Sequence, residues 1–231
     1  MITIASRPYP FPYDGLSRSG TALVVIDMQR DFLEPGGYLH AIGGELDGVR
    51  RAIPGVQRLL AAARAAGLPI IHTRQAYRPD LADLPPHKAW RGAWSGSGVG
   101  RPGPLGRVMV RGEPGSEIIA DVAPLSDEIV VDKSANGAFT YTDLEIILRT
   151  RGIRHLIVCG ITTDCCVHCT IREANDRGFQ CLMVEDACGS GDEKAHQAAV
   201  YLMTVEGGVL GAVATVAEVE ACLAQLRQEA A

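Results

Sequence analysis

Three side chains able to carry covalent chemistry stand where apolar runs of the chain end. Asp27 follows Thr21–Ile26, Lys133 follows Glu128–Asp132, and the turn leading to Cys166 follows His155–Cys159. The third is the most informative. Gly160-Ile161-Thr162-Thr163-Asp164-Cys165-Cys166-Val167-His168-Cys169-Thr170 joins a buried-strand pattern to a segment of helical period that opens at Cys166 and closes at Gly178. A thiol on the first turn of a helix meets free backbone N–H groups and the positive end of the helix dipole. Both favour the thiolate, and the same N–H groups can hold an oxyanion beside the sulfur. Taken singly, an Asp or Lys at a strand end is more often a turn or surface group. Three such ends converging on one crevice would assemble a base, a cation and a nucleophile.

The same stretch admits two other chemistries. Cys166-Val167-His168-Cys169 has the Cys-x-x-Cys spacing of a thiol–disulfide oxidoreductase, but that reaction gives Asp27 and Lys133 no role. A zinc site built from Cys165, Cys166, His168 and Cys169 lacks the second, distant ligand pair of a structural site. His168 lies two residues from Cys166, so on a helix the two side chains diverge and His168 is a poor base for the thiol.

Strands and helices alternate along the chain, which predicts βαβ units and a parallel sheet. Val56, Leu59, Leu60 and Ala63 mark the buried stripe of a helix opened by Pro54 and stopped by Gly67. Leu68–His72 reads as the second strand, Ser116–Ala123 as a short helix, and Thr142 with Glu145 as a capping box. Phe179–Val184 is the fifth strand, a helix follows Asp192, and Gly208–Val213 is a candidate sixth strand before the C-terminal helix. With the order 3-2-1-4-5-6 the ligand crevice lies between strands one and four, where Asp27 and Cys166 would meet. One domain spanning residues 1–231 is expected, with an N-terminal arm over 1–20 and a loop insertion over about 74–115 that carries Trp90 and Trp94, candidates for a subunit interface.

Composition narrows the function classes. The net charge of −5 gives no basic footprint for nucleic acid or an anionic membrane, and no apolar run reaches the roughly 18 residues of a membrane span. Arg7, Pro8, Pro10 and Pro12 interrupt the N-terminal stretch, so no signal-like segment is read there and a cytoplasmic protein acting on a small molecule is expected. Seven cysteines, several inside apolar runs, differ from a secreted disulfide framework.

Ile26-Asp27-Met28-Gln29-Arg30-Asp31-Phe32, Asp132-Lys133 and the Gly160–Thr170 stretch resemble, in order, the three motifs of the isochorismatase-like cysteine hydrolases. The resemblance runs from about Thr21 to the C-terminal helix. It implies a three-layer α/β/α doubly wound fold with a six-stranded, mainly parallel sheet in the order 3-2-1-4-5-6. It also implies Asp27 as base, Lys133 as electrostatic partner and Cys166 as nucleophile, with Cys165 off the motif. Backbone N–H groups of Thr162 and Cys166 would form the oxyanion hole, shaped by a cis peptide between Ile161 and Thr162. No cofactor is implied, and a homotetramer is. Nicotinamidase relatives bind a metal through an Asp-x-His cluster after the second strand. That place reads His72-Thr73-Arg74 here, so no metal is expected.

Within that family the likeness is to triuret and biuret hydrolases, carried by His72–Arg74, Arg78–Pro85, Arg111–Gly115, Arg172–Gly178 and Glu206–Val209. Biuret hydrolases resemble this chain except that Gln stands where it has Glu206. A carboxylate only accepts hydrogen bonds, so Glu206 in the pocket would suit a ligand rich in N–H groups and repel an anion. The expectation is hydrolysis of a linear ureide: triuret first, giving carboxybiuret and ammonia, then biuret, then ureidoacrylate-type acids. Phe32, Phe139 and Tyr141 follow strand ends and are expected to wall the pocket.

Overall fold

The run Thr21–Ile26 forms β1 with every residue buried, as a strand covered by helices on both faces must be. In the computed structural model, which describes residues 1–228, β1 sits near the middle of a six-stranded sheet. The other strands are β2 (Ile70–Gln75), β3 (Ile129–Lys133), β4 (His155–Ile161), β5 (Gln180–Gly189) and β6 (Ala212–Ala214). Their order is 3-2-1-4-5-6 and every adjacent pair is parallel. This is the doubly wound α/β architecture expected from the alternation of elements.

The longer helices are α1 (Ala52–Ala66), α2 (Pro86–Trp94), α3 (Leu144–Thr150), α4 (His168–Asp176), α5 (Glu193–Thr204) and α6 (Val216–Gln228). Helix α1 buries Val56, Leu59, Leu60 and Ala63, packs against α6 and β5, and ends at Gly67 with φ 70°. That left-handed stop is open to glycine without a Cβ penalty. Asp192 caps α5, its carboxylate accepting from the backbone N–H groups of Lys194 and Ala195. Among the described residues no helix is long and apolar enough to cross a membrane.

Several local expectations are corrected. β2 starts later and runs on to Gln75 because Thr73 and Gln75, though polar, find buried partners at the site. Ser116–Ala123 is not a helix. Two 3-10 turns, Pro114–Ser116 and Ala120–Val122, carry the chain across that stretch. Only the Thr142 half of the Thr142–Glu145 capping box forms: the Thr142 hydroxyl accepts from the Leu144 N–H at 3.2 Å and donates to the Ala138 carbonyl at 2.5 Å, whereas Glu145 pairs with Arg149 and Arg177 instead of reaching back. The insertion contains α2, a helix without a single buried residue. Trp90 and Trp94 stack on it with ring centroids 6.0 Å apart, both exposed.

The strand order reverses between β1 and β4, and there the two backbones come very close. Gly160 pairs with Ile26 and has φ 111°. A Cβ at Gly160 would lie 2.2 Å from the Ile26 carbonyl oxygen, a position no side chain occupies without moving backbone. Gly160→Ala is therefore expected to lower the unfolding free energy by about 3 kcal/mol or more. Urea denaturation followed by circular dichroism checks this, and an unchanged midpoint would refute it.

Candidate active site

The carboxyl ends of three strands bring Asp27, Lys133 and Cys166 together. The register sets them: Ile26 faces Gly160 across β1 and β4, and Gln75 faces Lys133 across β2 and β3. Asp27, one residue past β1, has φ 48°, a left-handed conformation that costs about 1 kcal/mol for a residue with a side chain. Its Oδ2 meets Lys133 Nζ at 2.7 Å, and its Oδ1 accepts from the Thr73 hydroxyl at 2.5 Å. Lys133 Nζ also donates to Gln75 Oε1 at 2.6 Å, to the carbonyls of Asn136 and Ala135 at 3.0 and 3.2 Å, and lies 3.5 Å from Cys166 Sγ. Lys133 and Asp27 are 0% and 1% exposed. Burial works against the ammonium, but the Asp27 carboxylate and the Cys166 sulfur outweigh it and hold Lys133 above its ordinary value.

Cys166 stands between this buried pair and a cavity of about 460 Å³, which it lines together with Thr162. The Ile161–Thr162 peptide is cis. The turn differs from the expected helix start: Thr163–Val167 is a π-helical turn, and regular helix begins at His168. The Thr162 carbonyl caps it, accepting from the N–H groups of Cys165 and Val167 at 3.2 and 3.1 Å. The expected thiolate is also corrected. The Cys165 thiol and burial push the Cys166 thiol well up, Asp27 adds to the shift, and Lys133 only opposes it. Cys165, drawn down by its contact with Cys166 but pushed further up by Cys169 and burial, reaches about 11. Cys169, stabilised by hydrogen bonding from Cys165, drops to about 7.

Of the residues expected around the substrate, Phe32 lines the cavity and packs edge-on against Tyr38. Phe139 does not. Its ring packs into the core against Phe179, with the Arg177 guanidinium over the ring at 5.2 Å from its centroid. Tyr141 is 84% exposed, on a turn with φ 63°. Glu206 is exposed too, on the 3-10 turn Val205–Gly207. The reason is geometric: α5 starts at the cavity, where Asp192 lines it, and a helix of 12 residues carries the chain about 18 Å away. His168 is buried with its Nδ1 accepting from Arg172, away from the thiol.

The cavity also contains residues the sequence did not single out: Gln75, Tyr77, Lys88, Arg91, Asn136 and Asp164. For Gln75 a signal exists, since Thr73 and Gln75 alternate as inward residues on β2. Lys88 and Arg91 lie one helical turn apart on α2, whose apolar pair Trp90 and Trp94 is exposed rather than buried, so no core-facing stripe in the sequence marks their direction. His72, at the position of a relative's metal cluster, is buried and pairs with Glu128 at 2.9 Å. Among the described residues no group of three or more His, Cys, Asp or Glu side chains could hold a metal ion.

These thiol environments order the reactivity of the turn. Because the thiolate is the nucleophile toward alkylating agents, iodoacetamide at pH 7.5 is expected to label Cys169 before Cys166 in the protein without substrate. Labelling of Cys166 should accelerate as pH rises above the ordinary thiol range. Peptide mass spectrometry over time reads the order, and Cys166 labelled first at neutral pH would contradict it.

Residues 21–218 match the isochorismatase domain family. The chain is 31% identical over 227 residues to the ureidoacrylate amidohydrolase RutB of Azorhizobium caulinodans, covering 96% of this chain and 97% of that one. It is 32% identical over 204 residues to the Variovorax paradoxus protein of the same name, covering 86% and 79%. Among solved structures, a cysteine hydrolase from Pseudomonas syringae pv. phaseolicola superposes with a TM-score of 0.77 at 27% identity, over 91% of this chain and 95% of that one. An N-carbamoylsarcosine amidase from Thermoplasma acidophilum gives 0.65 at 25% identity, over 85% and 96%. With the fold, the ordered motifs and a match over nearly its whole length in agreement, the chain belongs to the isochorismatase family of hydrolases.

Proposed function

We propose that this protein is a cysteine amidohydrolase that cleaves a C–N bond of a small linear ureide through a thioester on Cys166. The observation that carries the reading is the position of the Cys166 thiol, with the buried Lys133–Asp27 pair behind it and the cavity before it. A thiol pushed up by its surroundings needs a base at the moment of attack, and Asp27 is the carboxylate of the cluster. Asp27 takes the thiol proton as the sulfur attacks the ureide carbonyl carbon. The tetrahedral oxyanion is held by the N–H groups of Thr162 and Cys166. Lys133 keeps a positive charge beside sulfur and carboxylate throughout. The C–N bond then breaks, Asp27 returns the proton to the leaving nitrogen, and an acyl group remains on Cys166. Water deprotonated by Asp27 attacks the thioester and restores the thiol.

The relatives named as ureidoacrylate amidohydrolase and N-carbamoylsarcosine amidase support this class, since both names describe a carbamoyl group on nitrogen. Triuret and biuret carry the same unit. The resemblance places triuret first, with carboxybiuret and ammonia as products, and biuret second, with allophanate and ammonia. The Glu206 argument for that ranking does not apply within one chain, because Glu206 stands outside the cavity. A ureidoacrylate-type acid is the second reading, favoured by the two cations Lys88 and Arg91 on the cavity wall.

A panel of triuret, biuret, ureidoacrylate and nicotinamide, assayed for ammonia, tests the class. At least one ureide should turn over and nicotinamide should not. Cys166→Ser is expected to lower kcat by about a thousandfold or more, whereas Cys165→Ser should retain most activity. No turnover of any ureide by the intact protein would overturn the reading.

A further inference from the structure

The turn that presents Cys166 is anchored by a side chain that does not line the cavity. Thr163, 0% exposed, stands between the cis peptide and the nucleophile. Its carbonyl accepts from the His168 N–H and so closes the π-helical turn around Cys166. Its hydroxyl meets Nδ1 of His196 at 2.8 Å and, among the described residues, has no other hydrogen-bond partner. His196 sits on α5, where its backbone N–H donates to the Asp192 carbonyl at 3.0 Å. Its ring lines a separate surface groove with Arg7, Glu185 and Tyr201. A half-buried imidazole at the surface is thus bonded to the buried start of the nucleophile turn.

The protons available fix the direction of this bond. A threonine hydroxyl carries one proton, and burying it without an acceptor is costly. With Nδ1 unprotonated, the hydroxyl donates to the ring and is satisfied. With Nδ1 protonated, the ring donates instead, and the hydroxyl proton has no acceptor among the described residues. The neutral imidazole with its proton on Nε2 is therefore the form that fits the turn. The charged groups facing it are Arg51 before α1, Glu193 on its own helix, Glu185 on β5 and Asp164 on the turn. Arg51 pairs with Glu193, and Arg7 across the groove pairs with Glu185. Burial first, then Arg51, hold His196 below its ordinary value against the three carboxylates, so the neutral form persists at neutral pH.

We propose that His196 is a positioning residue: its unprotonated Nδ1 holds the Thr163 hydroxyl, and so holds the turn where the Cys166 sulfur lies beside Lys133 and opens on the cavity. This deepens the hydrolase reading, on which its kinetic consequences rest. Protonation of His196 reverses the bond, so turnover falls as pH drops below the ordinary histidine range. Neither Thr163 nor His196 lines the cavity, so the effect lies in kcat and not in KM.

Removing the acceptor with His196→Phe should lower kcat on a hydrolysed ureide by about tenfold or more and leave KM within about twofold. Thr163→Val, almost unchanged in volume, removes the same bond from the other side and serves also if His196→Phe does not fold. The two together should cost little more than either alone. Asparagine brings an amide oxygen close to the place of Nδ1 and does not titrate. His196→Asn should therefore recover most of kcat and move the acid limb of the kcat profile to lower pH. A second readout needs no substrate: iodoacetamide should label Cys166 at pH 7.5 about threefold faster or more in His196→Phe and Thr163→Val, as the sulfur leaves the surroundings that push its thiol up, and at the wild-type rate in His196→Asn. Wild-type kcat and labelling in His196→Phe and Thr163→Val would overturn the proposal. So would an acid limb unmoved in His196→Asn, or a loss of kcat there equal to that of His196→Phe. If labelling responds as expected while the intact protein hydrolyses no ureide, the hydrolase reading fails and the positioning role stands.

Discussion

A buried ammonium–carboxylate pair governs the rest of the site. Lys133 and Asp27 face each other at 2.7 Å with almost no exposure. Taking two such ions out of water costs several kcal/mol each, and is tolerated only where the remaining protons and lone pairs are satisfied. Parallel pairing makes that possible. β2 and β3, in register at Gln75 and Lys133, supply an amide oxygen to the ammonium, and Thr73 supplies a hydroxyl to the carboxylate. The carbonyls of Ala135 and Asn136 complete the shell as the chain leaves β3. Three strand ends must be in register for the pair to exist with its partners.

The pair also sets the state of the nucleophile. A lone lysine beside a cysteine would draw the thiol proton off. Here Lys133 is largely answered by Asp27, and the neighbouring Cys165 thiol and burial push Cys166 up. In the proposed mechanism the proton is kept until a substrate carbonyl arrives, and the carboxylate that receives it is the one that can return it to the leaving nitrogen. The three adjacent thiols thus differ sharply in character. Cys169, although shifted toward the thiolate, has no contact comparable to that between Cys166 and the Lys133–Asp27 pair.

The sheet order and the meeting of Asp27, Lys133 and Cys166 were legible because Asp27 and Lys133 stand at the ends of strands and Cys166 on the turn that follows a third, and hydrophobic runs are the strongest sequence signal. The substrate wall was not. Phe139 and Tyr141 follow β3 just as Phe32 follows β1, yet only Phe32 faces the cavity; the direction of a loop side chain depends on local turns that periodicity does not encode. Gln75 and Thr73 were hidden because the apolar run of β2 stops where its residues become polar, whereas the strand continues because those residues find buried partners. Glu206 was placed by likeness, and the length of α5 carries it away. Lys88 and Arg91 sit on α2, a helix with no buried residue, whose apolar pair Trp90 and Trp94 faces outward, so no core-facing side orients the two cations.

The most direct test is to look for the covalent intermediate. The protein is mixed with a ureide it hydrolyses, quenched in acid within milliseconds, digested and read by mass spectrometry. An acyl adduct confined to Cys166 and decaying at the rate of turnover is the expected result. Turnover with Cys166 unmodified at every time point, or an adduct on Cys165 or Cys169 that decays at that rate, would contradict a mechanism built on the Lys133–Asp27 pair.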